Sequence, residues 1–392
     1  MGQGNGILEA AAALRPLLRE RQEEIDRARC IPPDVVDGCR AAGLYRMVVP
    51  RELGGAQVDQ QTYMQAVELI SEGDGSAGWN LATCVANAMA TLSMPDEGVR
   101  EVFAEGPDVV FGGTIASRGG QGIPVDGGYV VTGRWPFGSG CGYSQWLMGS
   151  FEVPGGDRPP VRMRGLFRAG DCTVIDNWDV TGLRGTGSHD WAVNEVFVPN
   201  RRTTPYPGEP NINKWSRWPG TLYQLPGIAF LAGIHFSPVA TGIARAAIDS
   251  LTELAGSKVP LRQDSLLLEQ PQVQEWVGRA EALLGSGQAY RAAAAAELWA
   301  TVDARRPVTM EQIARCRLAA NTACDNAVQA TDLMYRAGGT TSIQWNHRLA
   351  RCWRDVHAVA QHTSLLPEYY MLAGRALLGL DPGPKLSEPA LR

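Results

Sequence analysis

Tyr335-Arg336-Ala337-Gly338-Gly339-Thr340-Thr341-Ser342-Ile343, then Asn346-His347-Arg348-Leu349-Ala350-Arg351-Cys352-Trp353-Arg354-Asp355 and Val356-His357-Ala358-Val359-Ala360-Gln361-His362, close a long helical region of the chain. From Ile228 to Leu378 the apolar residues recur at helical spacing, which predicts a helical bundle over 228–392. The Ala-rich run from Ala280 to Ala300 is interrupted by Arg291 and Glu297, as an amphipathic bundle helix is. His357 and His362 stand five residues apart, so on a helix they face different ways and one of them points into the bundle. A lone helical histidine is ordinarily an interhelical hydrogen-bonding group, and His357 keeps that reading.

Upstream of the bundle the texture changes. A Pro/Gly/Trp-rich connector is expected over 204–227. Over 109–203, short β-branched and aromatic runs are divided by glycines, as in Gly127-Gly128-Tyr129-Val130-Val131-Thr132-Gly133 and Trp191-Ala192-Val193-Asn194-Glu195-Val196-Phe197-Val198-Pro199; this predicts an antiparallel β domain. Residues 1–108 read as helices broken at Ile31-Pro32-Pro33 and Pro50-Arg51-Glu52-Leu53-Gly54-Gly55. The fold class is therefore α+β and mostly helical, in the order helix, sheet, helix, with an irregular tail after Leu380.

Composition narrows the function. The chain has 392 residues, 44% hydrophobic and 20% charged, as a folded globular protein does. Thirty-six basic against 41 acidic residues give a net charge of −5, which leaves no excess to neutralise phosphates and argues against nucleic acid as a partner. Eight scattered cysteines without a CxxC pair, and five histidines, suggest neither a disulfide framework nor a metal site; a reducing cytoplasm is expected. No run approaches the ~20 apolar residues of a membrane helix, so no membrane association is expected. No GxGxxG stands between a strand and a helix, so the chain offers no nicotinamide site of its own.

The segment from Tyr335 to His362 resembles the closing signature of the acyl-CoA dehydrogenase fold, and Arg51-Glu52-Leu53-Gly54-Gly55 resembles its N-terminal turn. Gly133-Arg134-Trp135-Pro136-Phe137-Gly138-Ser139-Gly140 and the imidazole at His362 make the chain most similar to two-component flavin monooxygenases of that fold. The resemblance implies a homotetramer that takes reduced FMN or FAD from a separate flavin reductase. It also implies that reduced flavin and O2 form a C4a-hydroperoxide, which oxygenates an aromatic or related small molecule. Ser139 sits where the family contacts flavin N5, and Phe137 where dehydrogenases carry a tryptophan. By itself a serine among glycines is a turn residue. His362 takes the place of the hydroxylases' active-site histidine, as base or orienter.

Trp178-Asp179-Val180-Thr181-Gly182-Leu183-Arg184-Gly185-Thr186-Gly187-Ser188-His189-Asp190 is similar to the family's second β-domain signature, which makes Thr186 and Ser188 flavin neighbours; without the family it reads as a hairpin with a glycine bulge. Lys258 and Arg262 match a basic segment for the flavin phosphate, with backbone donors expected from Gly338, Gly339 and Thr340. Trp79, Asn87, Tyr143 and Trp146 are expected at the substrate end.

Two positions depart from the hydroxylase pattern: Asn87 replaces a histidine, and Gly142-Tyr143 replaces another, so the substrate need not be a simple phenol. An acyl-CoA dehydrogenase needs a carboxylate to remove its substrate's α-proton. The resemblance puts it just after His362 or at the start of the first long C-terminal helix. Thr363 occupies the first position, and no Asp or Glu lies between Pro226 and Ile248. A non-catalytic flavin- or ligand-binding protein of the same fold is the other alternative.

Overall fold

The structure is a computed structural model that describes residues 3–156, 158–206, 217–229, 234–383 and 385–386. Helices α1 (Gln3–Ala28), α2 (Pro33–Ala41), α3 (Gln60–Gly73), α4 (Gly75–Thr91) and α5 (Asp96–Val102) form the N-terminal part. Their starts follow from the local chemistry. Pro32 and Pro33 open α2, the Asp59 carboxylate accepts from Thr62 N at 2.8 Å ahead of α3, and Asp74 accepts from Ala77 N at 2.9 Å ahead of α4.

Seven strands follow: β1 (Phe111–Val125), β2 (Gly128–Trp135), β3 (Trp146–Gly155), β4 (Arg158–Arg168), β5 (Thr173–Ile175), β6 (Asp190–Pro199) and β7 (Thr203–Pro205). They make one sheet in the order β5-β6-β2-β1-β3-β4-β7. The expected antiparallel pattern holds with one exception, since β1 and β3 are parallel. A tight turn at Asp126-Gly127 folds β2 back on one side of β1. The segment over 136–145 then carries the chain to the other side of β1, where β3 can only run the same way. The sheet packs its own aromatic core, with Trp135 and Trp191 stacked at 4.2 Å and Phe167 against both.

The bundle consists of α6 (Gly227–Ala229), α7 (Ser237–Ala255), α8 (Pro271–Asp303), α9 (Met310–Gly338), α10 (Arg348–Ala360) and α11 (Glu368–Leu377). Within α8, Glu297 lies on the solvent face as an amphipathic helix predicts, but Arg291 is buried. It bonds Glu68 of α3 at 2.6 Å and the Thr241 hydroxyl of α7 at 2.8 Å, so its charge joins the bundle to the N-terminal helices. Much of the expected connector, at 207–216, and most of the tail, at 384 and 387–392, lie outside the described residues.

Candidate functional site

The site forms where α4, the 136–144 segment, the 183–188 turn and the end of α10 meet. Trp79, in the second turn of α4, donates its indole N–H to Ser139 Oγ at 3.1 Å. Ser139 Oγ lies 2.8 Å from Ser188 Oγ, which lies 2.7 Å from Thr186 Oγ1, and that hydroxyl donates to the Leu183 carbonyl at 2.8 Å. All three hydroxyl residues are buried.

Counting protons fixes the polarity of this row. A hydroxyl has one proton. Thr186 commits its proton to Leu183 O, so Ser188 donates to Thr186 and Ser139 donates to Ser188. Ser139 Oγ accepts the Trp79 N–H on one lone pair, which leaves the other as its unused valence. Toward a ligand Ser139 is therefore an acceptor.

The backbone holds the row in place. Gly138 N donates to His189 O at 2.9 Å and Gly140 N to Thr186 O at 3.0 Å, clamping the two segments together. A Cβ at Gly138 would stand 2.6 Å from the Trp191 ring, so only glycine allows this approach. Asn80 Nδ2 adds a bond to Thr186 O at 3.1 Å. Behind the row, Leu183 N donates to Asp355 Oδ1 of α10 at 2.6 Å. Burial, reinforced by Asp74, pushes the Asp355 carboxyl up to about 7, and burial pushes Asp74 itself up to about 6. The helix cap of α4 and the anchor of the hydroxyl turn are thus neighbouring buried carboxyls.

His362 completes the site, and not from a helix. Helix α10 ends at Ala360, and His362 lies in the turn beyond it, with its N–H bonded to Val359 O at 3.0 Å and Leu365 N returning to His362 O at 2.8 Å. Pro367 disfavours helical geometry at Leu366, so the turn after α10 does not run on as helix into α11. The imidazole meets the Trp79 ring edge-on at 5.1 Å and the Phe236 ring at 4.4 Å, while Phe236 stacks on Trp79 at 4.9 Å. Burial, with the Arg317 charge added, pushes His362 down to about 4. Its Nδ1 accepts from Ser364 N at 3.3 Å, so the neutral ring carries its proton on Nε2.

The structure brings Trp79, Ser139, Thr186, Ser188 and His362 together. Asn87 is fully buried two turns further along α4 and bonds Gly112 O at 2.8 Å, with its Oδ1 left without a partner. Tyr143 packs near Gly140. Phe137, held at φ +60°, is 63% exposed beside Trp178. Trp146 does not join the cluster. Its indole lies at the start of β3 beneath the Arg168 and Arg202 guanidiniums, which pair with Glu101.

Lys258 reaches the end of α9, donating to Gly338 O at 2.7 Å and Thr341 Oγ1 at 2.8 Å, with Gly339 and Thr340 exposed beside it. Arg262 is exposed at φ +66° and has no described bond to that turn. His357 bonds Asp332 Oδ1 at 3.0 Å, an interhelical tie between α10 and α9.

Sequence reasoning missed Phe236 and its neighbour His235. His235 is fully buried, bonded to the Tyr63 hydroxyl and to Ala82 O at 2.8 Å each, and pushed down to about 3 by burial. The signal lies in the stretch from Pro226 to Ile248, which has no carboxylate but carries an aromatic pair directly before the Ser237-Pro238 start of α7. No group of three or more His, Cys, Asp or Glu side chains that could hold a metal occurs among the described residues. The site does fit a reduced flavin, offering a hydroxyl acceptor for an N–H and the exposed Phe137 ring beside it.

Residues 9–98 match the acyl-CoA dehydrogenase N-terminal domain and residues 234–367 its C-terminal domain. The chain is 31% identical to an indole-3-acetate monooxygenase of Pseudomonas putida, over 93% of this chain and 92% of that one. It is 28% identical to the oxygenase subunit of the flavin-dependent monooxygenase HsaA of Rhodococcus jostii, over 94% and 97%. The crystal structure of a 3-HSA hydroxylase from Rhodococcus superposes with a TM-score of 0.89 at 28% identity, covering 97% of this chain and 99% of that one. With a fold shared end to end, a hydroxyl row in place of a carboxylate base, and these relatives, the chain belongs to the flavin-dependent monooxygenases of the acyl-CoA dehydrogenase family.

Proposed function

We propose that this protein is the oxygenase component of a two-component monooxygenase, which takes reduced FMN or FAD from a separate reductase and uses O2 to oxygenate an aromatic small molecule. The observation that carries this reading is the polarised row Trp79–Ser139–Ser188–Thr186, which turns an acceptor toward the flavin site. Reduced flavin bears a proton on N5 and oxidised flavin bears a lone pair there, so an acceptor discriminates between them. Bound reduced flavin supplies the reaction with O2, and the chain's part is to hold N5–H at Ser139, to keep water out and to orient the substrate.

His362 serves as a donor. With its proton on Nε2 and its pKa held low, it hydrogen-bonds an oxygen of the substrate instead of removing a proton at neutral pH. Trp79 and Phe236 give the substrate ring its apolar walls, with Asn87 and Tyr143 at the margin. Lys258, Gly338, Gly339 and Thr340 serve the flavin phosphate, in the same subunit or from a neighbour in a homotetramer, and Arg262 joins them when the phosphate is present. No helix among the described residues is long and apolar enough to cross a membrane, and the proposed setting is the cytoplasm.

The test is to mix the protein anaerobically with chemically reduced FMN or FAD and then with oxygenated buffer in a stopped-flow spectrometer. The proposal expects bound flavin to reoxidise more slowly than free flavin, with the delay shortened by Ser139→Ala. Reoxidation at the free-solution rate defeats it. Bleaching of oxidised flavin by an acyl-CoA without oxygen would instead establish a dehydrogenase.

A further inference from the structure

Asp355 of α10 is fully buried and lies 172 residues along the chain from the turn it holds. Its Oδ1 accepts from Leu183 N at 2.6 Å. The backbone at that point is unusual, since Leu183 sits at φ +54° and ψ +34°, a left-handed conformation that a leucine rarely adopts. The carboxyl supplies the acceptor that this N–H needs once it is buried. Gly182 allows the close approach, because a Cβ there would run into the Arg354 carbonyl of α10. On the other side of the carboxyl, a Cβ at Gly75 would stand 3.2 Å from Asp355 Oδ2, so the second oxygen lies against the first turn of α4. One side chain thus seats both segments that build the hydroxyl row: the 183–188 turn, with Thr186 and Ser188, and α4, with Trp79.

Three donors converge on the Leu183 carbonyl: Thr186 Oγ1 at 2.8 Å, Thr186 N at 3.2 Å and Trp178 Nε1 at 3.2 Å. They share two lone pairs, so all three are met only while the carbonyl keeps its orientation. The Thr186 hydroxyl bond commits the proton at the end of the row and leaves Ser139 an acceptor. The Trp178 bond holds the indole whose ring meets the exposed Phe137 ring edge-on at 5.9 Å. Both the row and the aromatic ring beside it therefore depend on one residue. A left-handed conformation is not the one a leucine takes when unconstrained. Release of its N–H lets φ return to negative values and swings the carbonyl away from Thr186.

We infer that Asp355 is a positioning residue of the flavin site: it holds Leu183 so that the Thr186 proton stays on the Leu183 carbonyl and Ser139 keeps a lone pair for the N5–H of reduced flavin. It acts through Leu183 and touches neither flavin nor substrate. Without it the Thr186 proton turns to Ser188, Ser188 donates to Ser139, and Ser139 presents its own proton, which suits the N5 lone pair of oxidised flavin. The inference rests on the monooxygenase reading and goes beyond it, extending the flavin site to a carboxyl on α10.

The experiment titrates the protein anaerobically with oxidised and with chemically reduced FMN and FAD, reading flavin and tryptophan fluorescence, and compares the affinities for the two redox states. Asp355→Leu is expected to lower the preference for reduced flavin roughly three- to tenfold, the scale of one hydrogen bond, while Asp355→Asn, which keeps the acceptor, stays within about twofold of the wild type. Asp355→Leu combined with Thr186→Val is expected to shift the preference no further than Thr186→Val alone, because both act at the same bond. A merely structural carboxyl would weaken both redox states alike. Melting temperature identifies a misfolded variant; if Asp355→Leu is one, Gly182→Ala takes its place, alone and in the double variant, since its Cβ pushes the turn off α10 without touching the row. Equal affinity of the wild type for the two redox states, an unchanged preference in the folded variant, an equal loss in Asp355→Asn, or additive shifts in the double variant overturns the inference. A missing delay in flavin reoxidation by the wild type defeats the monooxygenase reading, and the affinities still decide the inference.

Discussion

The indole N–H of Trp79 donates to Ser139 Oγ at 3.1 Å, so a helix of the N-terminal domain sets the hydrogen-bonding state of a hydroxyl carried by the β domain. Trp79 also packs in the aromatic cluster with Phe236 and His362, so one side chain joins the hydroxyl row to that cluster.

Trp79→Phe keeps the aromatic wall and removes only the donor. Ser139 is then free to rotate, and a bond of about 1 kcal/mol is lost. The expected result is a several-fold rise in hydrogen peroxide released per reduced flavin consumed, with substrate affinity changed less. Peroxide yield against product yield measures it, and an unchanged ratio would mean that the bond does not position Ser139.

Thr186→Val removes the acceptor that takes the Ser188 proton. Ser188 then donates to Ser139, and Ser139 turns its own proton toward the flavin site. The expected consequence is tighter binding of oxidised flavin, by roughly three- to tenfold for one hydrogen bond, and weaker preference for reduced flavin. Equilibrium titration with both redox states reads this without turnover. Loss of affinity for both states alike would contradict the assigned polarity.

His362 is held near 4, so it is neutral throughout the range in which the protein would work. The pH profile of kcat/KM is expected to show no limb from this residue between about pH 5 and 8. His362→Ala should cost about 100-fold or more if the donor is essential, and His362→Asn, which can still donate, should recover part of that. A limb near the ordinary histidine pKa of ~6.5 that disappears in His362→Ala would restore it to the role of base.

Asp355 and Asp74 give a stability signature of opposite sign to the histidines. The Asp355 carboxyl sits near 7 in the folded protein against ~3.9 unfolded, so between those values the native state binds the extra proton, and stability falls as pH rises through 7. His235 and His362 are depressed, so they remove stability as pH falls below ~6.5 toward their folded values of about 3 and about 4. Asp355→Asn keeps an acceptor for Leu183 N and removes the ionisation. Its melting temperature should rise relative to wild type at pH 8 by a few degrees and change little at pH 5. Equal shifts at both pH values would mean that the carboxyl ionises as an ordinary surface group.

The order of helix, sheet and helix was legible because apolar periodicity and turn residues are local properties of the chain. The candidate flavin neighbours Ser139, Thr186 and Ser188 were legible only through the resemblance of their glycine-rich segments to the family's, since by themselves those segments read as turns. The placement of His362 was misjudged, since the pattern preceding it is helical and only the turn before Pro367 takes it off α10. The parallel pairing of β1 with β3 was equally hidden, because strand direction depends on which side of β1 the chain crosses to.

By itself, then, the sequence determined the fold class, which follows from short-range patterning, and, through the resemblance of its motifs, the family and the candidate hydroxyls Ser139, Thr186 and Ser188. The tertiary structure alone decided which way those hydroxyls donate and that Phe236 closes the aromatic cluster. These depend on groups 49 to 60 residues apart for the serine row and its indole, and on burial, which sets both hydrogen-bond direction and the cost of a charge. No local pattern encodes either one.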